Sequence, residues 1–333
     1  MLHRYLGPQR LEVSAVGLGC MSFSQCYPPY PTEEEAMRVL RGAHELGITF
    51  FDTADVYGNG ANEQLVGRAL RPIREHIVLA SKCGFNFYAD AKAVPGARGV
   101  CCRPEYIRMA IDRSLQRLGT DRIDLYYLHR VDPQVPVEDC AGVMEDLMRQ
   151  GKIRHWGLSE AGPASIRKAH AVCPLTAVQS EYSLWFRQRE HDVIPVCREL
   201  GIGFVPFSPV GRGLLTGTIS SDAQYLPGDL RRGLPRFNGT NLEQNLKFVE
   251  GIARIARDKD ATPAQVCLAW LLAQSDSMVP IPGTTRLERV AENALSASIT
   301  FSTEELRQLD EELFSIEIAG PRYTASQERL TGL

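Results

Sequence analysis

The sequence predicts an α/β fold of the (β/α)8 TIM-barrel class, with an additional C-terminal helix and a long loop after the seventh strand. Three observations lead there. Apolar runs of strand length alternate with amphipathic stretches of helix length along nearly the whole chain. Eight such units fit within roughly 280 residues, which suits a closed barrel better than an open doubly wound sheet. No linker or composition shift interrupts the alternation, so one domain over 1–333 is expected.

The strand candidates are VSAVGLGC (13–20), ITFFDTA (48–54), HIVLASK (76–82), IDLYYLH (123–129), IRHWGLS (153–159), TAVQSEY (176–182), GFVPFS (203–208) and MVPIPGT (278–284). Between them lie helices with local start and stop signals. TEEEAMRVLRGAHELG opens on Thr32 with Glu35 three residues on, a capping box. PEYIRMAIDRSLQRLG carries Pro104 in its first turn and Gly119 after its end. PAQVCLAWLLAQ and RLERVAENALSA supply the last two helices of the repeat, and STEELRQLDEELF is a further capped helix. The polar tail after Pro321 reads as a mobile flap. The segment 211–245 is far longer than an ordinary connection. It holds six glycines and the cations Arg212, Arg231, Arg232 and Arg236, with few apolar anchors expected, and reads as a cofactor lid or binding loop, with a disordered insertion as the alternative.

Composition narrows the partners. The 37 basic and 40 acidic side chains give a net charge of -3 with no run of Lys or Arg, so neither nucleic acid nor an anionic membrane is attracted. Small molecules are the expected partners, and a monomer is the default. The N-terminal MLHRYLGPQRLEVS lacks a signal-type apolar stretch and no segment approaches a membrane span, which places the chain in the cytoplasm. Nine scattered cysteines, only Cys101 and Cys102 adjacent, read as reduced thiols with no zinc site and no metal. The sequon at Asn238 is a chance match.

The stretch FFDTADVYG (50–58) carries the chemistry. A buried run ends in Asp52, then Asp55 and Tyr57, and an unpaired carboxylate is tolerated only where a strand ends in a cleft. Barrel enzymes place their sites at strand C-termini. Those ends read Gly19 and Met21, Asp52 and Tyr57, Lys82, His129, Ser159, Gln179, Ser208, then Gly283, Thr284 and Thr285. Singly, Asp52 could be a cap, His129 a core histidine and Lys82 a snorkelling lysine. One polar group at nearly every end favours a site. A phenol is a poor acid at neutral pH unless a cation stabilises its anion, and Lys82 held by Asp52 supplies one. Tyr57 would then protonate a carbonyl oxygen to which His129 also donates. Such a site reduces carbonyls, but it holds no reductant of its own, so hydride must come from a cofactor.

FDTADVYGNGANEQLVG, IVLASK, LGTDRIDLYYLH, GLSE, AVQSEYSLW, PFSPVGRGLLTG and VPIPGTTRLERVAEN follow one another as in the aldo-keto reductases, which the chain resembles from about Val13 to Asn293. The resemblance implies a catalytic tetrad of Asp52, Tyr57, Lys82 and His129 and the cofactor NADPH/NADP. It assigns Ser159 and Gln179 to the nicotinamide carboxamide and Phe207 to stacking on its ring. Ser208, Gly211 and Gly213 would hold the pyrophosphate under the long loop. Thr285, Arg289, Glu292 and Asn293 would hold the adenosine and its 2'-phosphate, with Gly19, Met21, Asp52, Gly283 and Thr284 along the cofactor. Gly283 replaces a lysine of many relatives and Glu160 an asparagine. No GxGxxG follows a strand, which argues against a Rossmann site. Trp185, Phe186 and the long loop, with loops after Met21, Gly84 and His129, would line a partly aromatic pocket suited to aldehydes or ketones with apolar bodies. Two rivals remain. A metal-dependent lyase or isomerase would need more carboxylates at the strand ends, and a cofactor-binding regulatory subunit like the potassium-channel β-subunits would retain the fold with slow turnover.

Overall fold

The computed structural model describes residues 1–87 and 99–332. Among them, seven parallel strands form one sheet in chain order: β3 (Leu18–Gly19), β4 (Phe50–Asp52), β5 (Val78–Cys83), β6 (Ile123–Leu128), β7 (Ile153–Ser159), β8 (Ala177–Glu181) and β9 (Gly203–Phe207). The eighth segment, 278–284, closes the barrel without being a regular strand. It bridges Phe204 through Met278 and Gly19 through Gly283, and it accepts the amides of Gly17 and Gly19 at Pro280 and Pro282. The two prolines have no N–H to return, so the ladder there is sparse although the chain is extended.

The expected βα alternation is present. The helices are α1 (Glu33–Glu45), α2 (Ala61–Leu70), α3 (Pro104–Leu118), α4 (Val137–Arg149), α5 (Pro163–Val172), α6 (Val193–Leu200), α7 (Gly239–Asp258), α8 (Pro263–Gln274), α9 (Leu287–Leu295), α10 (Thr303–Phe314) and the short α11 (Ala325–Glu328). Thr32 forms its capping box with Glu35, and Gly119 ends α3 in the left-handed conformation. One element was not foreseen. β1 (His3–Leu6) and β2 (Leu11–Ser14) form an antiparallel hairpin whose Leu6 and Val13 plug the barrel floor.

Strand periodicity determines what reaches the mouth. Phe50, Ala80, Leu125, Tyr127, Ala177 and Val205 fill the barrel interior, while Phe51, Leu79, Tyr126, Leu128, Val178 and Phe204 pack outward on the helices. Two residues beyond the inward members stand Asp52, Lys82, His129, Gln179 and Phe207. The interior row therefore ends in the expected site residues.

Two expectations about loops are corrected. The segment 211–245 does not lack apolar anchors: Leu214, Leu215, Leu234, Phe237 and Leu242 are buried, and its last residues already belong to α7. The tail after Pro321 is docked. Gly332 bridges Ala161, and Arg322 pairs with Glu160 at 2.8 Å. The nine cysteines are unbridged. Among the described residues, no helix is long and apolar enough to cross a membrane.

Behind the mouth lies a buried acidic pair. Glu63 of α2 accepts the Arg117 guanidinium at 2.6 Å and the Ser81 hydroxyl. Asp55 is fully buried, and among the described residues its carboxyl oxygens meet no hydrogen-bond donor of good geometry. Burial first, and the Glu63 carboxylate next, push the Asp55 carboxyl well above the usual range.

Two stability predictions follow from this packing. A Cβ at Gly67 of α2 would lie 2.2 Å from the Leu118 carbonyl oxygen of α3. Gly67→Ala should therefore destabilise by about 1–3 kcal/mol, the reverse of alanine's usual advantage in a helix; a Tm at or above wild type would show that the helices move apart freely. Asp55 keeps a proton in the fold that the unfolded chain releases above a pH of about 4, so its contribution to stability is lost as pH rises from there through the raised pKa. Asp55→Asn cannot ionise, and its stability relative to wild type should rise by about 1–3 kcal/mol between pH 4.5 and 7.5 in urea titrations. A pH-independent difference would mean that Asp55 is ionised in the fold.

Candidate active site

Asp52 ends β4, Lys82 lies one residue before the end of β5, and His129 follows β6 directly. Tyr57 begins a tight turn, 57–60, in which Gly58, Asn59 and Gly60 all take positive φ before α2 starts. Asn62 locks this turn: it accepts the Thr53 hydroxyl at 2.6 Å and donates to the Cys20 carbonyl at 2.9 Å and to Ser24 Oγ at 2.7 Å. Gln25 Oε1 accepts the Gly58 amide at 2.9 Å. Tyr57 is thereby held over the barrel mouth by contacts between the loops after β3 and β4.

Lys82 is 1% exposed, and each of its three ammonium donors has an acceptor. It is ion-paired with Asp52 Oδ1, and it donates to the Thr53 carbonyl at 2.9 Å and to Tyr57 Oη at 3.3 Å. The second Asp52 oxygen accepts Gln179 Nε2 at 2.9 Å. Because an ammonium can only donate, Tyr57 Oη is an acceptor in this pair, and its own proton is free to point elsewhere. The His129 ring stands edge-on to Tyr57 with centroids 5.8 Å apart.

The electrostatics keep the acid protonated. Burial raises the Tyr57 pKa and Asp52 adds to this, while Lys82 opposes it. Burial works against the Lys82 charge, yet Asp52 and Tyr57 outweigh it and the ammonium is held above its usual range. Burial, with Lys82 and Arg130, pushes His129 well below its usual value, so the imidazole is neutral. A neutral imidazole offers one N–H donor to an oxygen in the cleft.

The cleft above these residues measures about 840 Å³ and runs to α9. Its walls include Gly19, Met21, Asp52, Tyr57, His129, Ser159, Gln179, Phe207, Ser208, Gly213, Gly283, Thr284, Thr285, Arg289, Glu292 and Asn293. Lys82 lies beneath the floor. Gly211 stands behind the wall, where a Cβ would meet Leu215 and Trp185 at 2.8 and 2.9 Å. Trp185 and Phe186 are also buried behind it, stacked by Arg236 and Arg322. Of the loop cations, Arg212 and Arg231 reach the cleft and Arg232 and Arg236 do not. Glu160 turns away to Arg322 and the Glu181 amide. Part of the loop after Gly84 lies outside the described residues.

Several cleft residues were not singled out from sequence: Tyr27, Phe85 and Arg130, on loops expected to line the pocket, and Tyr323, on the tail. Arg130, directly after His129, was the one within reach of a strand-end argument. At the far end, Arg289 lies in the first turn of α9 with no ion pair among the described residues, whereas Arg286 is paired with Glu288 at 2.8 Å. A free cation beside helix amides is suited to a phosphate. Among the described residues, no cluster of His, Cys, Asp and Glu could hold a metal ion.

The chain is 44% identical over 322 residues to the probable aldo-keto reductase 1 of Glycine max, covering 96% of this chain and 90% of that protein. It superposes on the glycerol dehydrogenase AKR11B4 from Gluconobacter oxydans with a TM-score of 0.85 at 25% identity, over 97% of this chain and 99% of that one. A Klebsiella pneumoniae aldo/keto reductase in complex with NADP and acetate matches with a TM-score of 0.71 at 26% identity, over 96% and 98% of the two chains. The family model of the aldo/keto reductases matches residues 15–313, and the chain belongs to that family.

Proposed function

We propose that the protein reduces the carbonyl group of an aldehyde or ketone with NADPH and that Tyr57 is the general acid. The observation that carries this reading is the Lys82 ammonium, which donates to Tyr57 Oη at 3.3 Å and so leaves the phenol proton for another acceptor. NADPH supplies the hydride when bound. Tyr57 passes its proton to the carbonyl oxygen, and Lys82 stabilises the phenolate left behind. Neutral His129 donates to the same oxygen and orients it. Asp52 keeps the ammonium from being an isolated buried charge.

The cleft runs from Tyr57 to α9 with polar groups along it, and the NADP-bound Klebsiella pneumoniae neighbour supports the assignment. Ser159 and Gln179 would hold the carboxamide, Phe207 the ring face, and Ser208 with Gly213 the pyrophosphate. Thr285, Arg289, Glu292 and Asn293 would hold the adenosine end, with Arg289 as the cation for a 2'-phosphate.

Two experiments test this. Tyr57→Phe should lower kcat about 100-fold or more while the NADPH Kd stays within a few-fold of wild type, because it removes the proton donor and leaves the binding surface. Near-normal turnover would remove Tyr57 from the mechanism. Arg289→Leu should weaken NADPH roughly 10- to 100-fold and NADH far less, read by quenching of tryptophan fluorescence. Equal losses for both cofactors would show that Arg289 does not read the 2'-phosphate.

A further inference from the structure

Among the described residues, most arginines that line the cleft have a carboxylate partner. Arg212 has Glu181 at 3.1 Å, Arg231 has Asp229 at 2.6 Å and Arg286 has Glu288 at 2.8 Å. Arg130 and Arg289 do not. Arg289 stands at the adenosine end and is accounted for by a phosphate there. Arg130 stands at the opposite end, next to His129, and the reduction reaction gives it no task.

Its surroundings are built but incomplete. Arg130 Nη1 donates to the His129 carbonyl at 2.6 Å and reaches Ser159 Oγ at 3.5 Å, and the guanidinium lies 5.5 Å from the centroid of the Phe85 ring. Among the described residues, its Nε donor is buried with no acceptor. A guanidinium has five donors, and these contacts use few of them. The acids that line the cleft do not compensate it: Asp52 belongs to Lys82, and Glu288 and Glu292 lie on α9. Its field also helps to keep His129 uncharged. A half-buried cation without a counter-ion among the described residues, beside an aromatic wall and one residue from the group that meets the carbonyl oxygen, is short of an anion.

We propose that Arg130 is the anion-recognition point of the substrate subsite, so that the favoured carbonyl compounds carry an oxyanion group, a carboxylate or a phosphate, near the reacting carbon. The planar fork of Arg130 donates to two oxygens of either group, and Phe85 packs against the body of the substrate. The anion does not react; it fixes the carbonyl beneath His129 and Tyr57. This rests on the reductase reading above.

The test uses two matched pairs: 4-carboxybenzaldehyde with methyl 4-formylbenzoate, and glyceraldehyde 3-phosphate with glyceraldehyde. Wild-type kcat/KM should favour the anionic member of at least one pair roughly 10- to 100-fold, and the pair that shows it identifies carboxylate or phosphate as the source. Arg130→Met should bring that ratio close to one, and Arg130→Lys should keep part of it. A wild-type ratio near one in both pairs overturns the proposal, as does an equal loss on both members of a pair. Weakened NADPH binding in Arg130→Met without a change in the ratio also overturns it, and gives Arg130 to the nicotinamide instead. If the wild type turns over none of the four compounds, the reductase reading fails. Calorimetric binding of benzoate to the NADP-saturated protein then decides separately: a roughly 10-fold or larger loss in Arg130→Met keeps the anion site, and equal affinity removes it.

Discussion

The whole mouth of the barrel is organised around one buried ammonium. Removing a lysine from water costs several kcal/mol even after relaxation, and only a full set of partners makes that tolerable. Lys82 has such a set in Asp52, the Thr53 carbonyl and Tyr57. The requirement propagates. Asp52 must be ionised, so its second oxygen needs a donor, and Gln179 from the far side of the barrel supplies it at 2.9 Å. Tyr57 must approach an inward lysine from outside the strands, which demands the sharp turn at 57–60 and the Asn62 contacts that hold it. Chemistry and fold meet in the same ion: the charge that is costly to bury is the charge that makes a phenol a usable acid.

Why these residues converge is a matter of register. In the sheet, Phe50, Ala80, Leu125, Ala177 and Val205 point inward, and the period of two carries the same direction on to Asp52, Lys82, His129, Gln179 and Phe207. A slip of one residue in any strand would send its polar end into the helix layer. Gly157 shows how tight the interior is, since a Cβ there would lie 2.3 Å from the Ala177 carbonyl oxygen.

The same regularity explains what was legible in the sequence. Strand runs, caps and the polar residue that ends each run are local signals, and the barrel with its row of mouth residues could be read from them. The hairpin at 3–14 was not, because LEVS merges in sequence with the run that leads to Leu18. The final barrel segment could be recognised as extended, but its sparse pairing depends on Pro280 and Pro282 facing neighbours far away in sequence. Trp185 and Phe186 looked like pocket walls by composition. They are core, because Arg236 and Arg322 from distant segments stack on them. Cation–π partners some 50 and 140 residues apart leave no trace in a local pattern.

The misread tail follows from a second set of buried charges that obeys the logic of Lys82. Glu181 at the end of β8 pairs with Arg212 at 3.1 Å and Arg322 at 3.5 Å, and Glu160 after β7 pairs with Arg322 at 2.8 Å. All four side chains are nearly inaccessible, and removing one would leave its partner charged and buried, at about 3–5 kcal/mol. A polar tail looks mobile when its charges are imagined in water. Here Arg322 has acids waiting at two strand ends, so the tail must dock, and Gly332 continues the contact by bridging Ala161. Tyr323, the neighbour of Arg322, is thereby brought to the cleft wall beside Arg212. Two acids at strand ends thus complete a cleft whose walls come from distant parts of the chain.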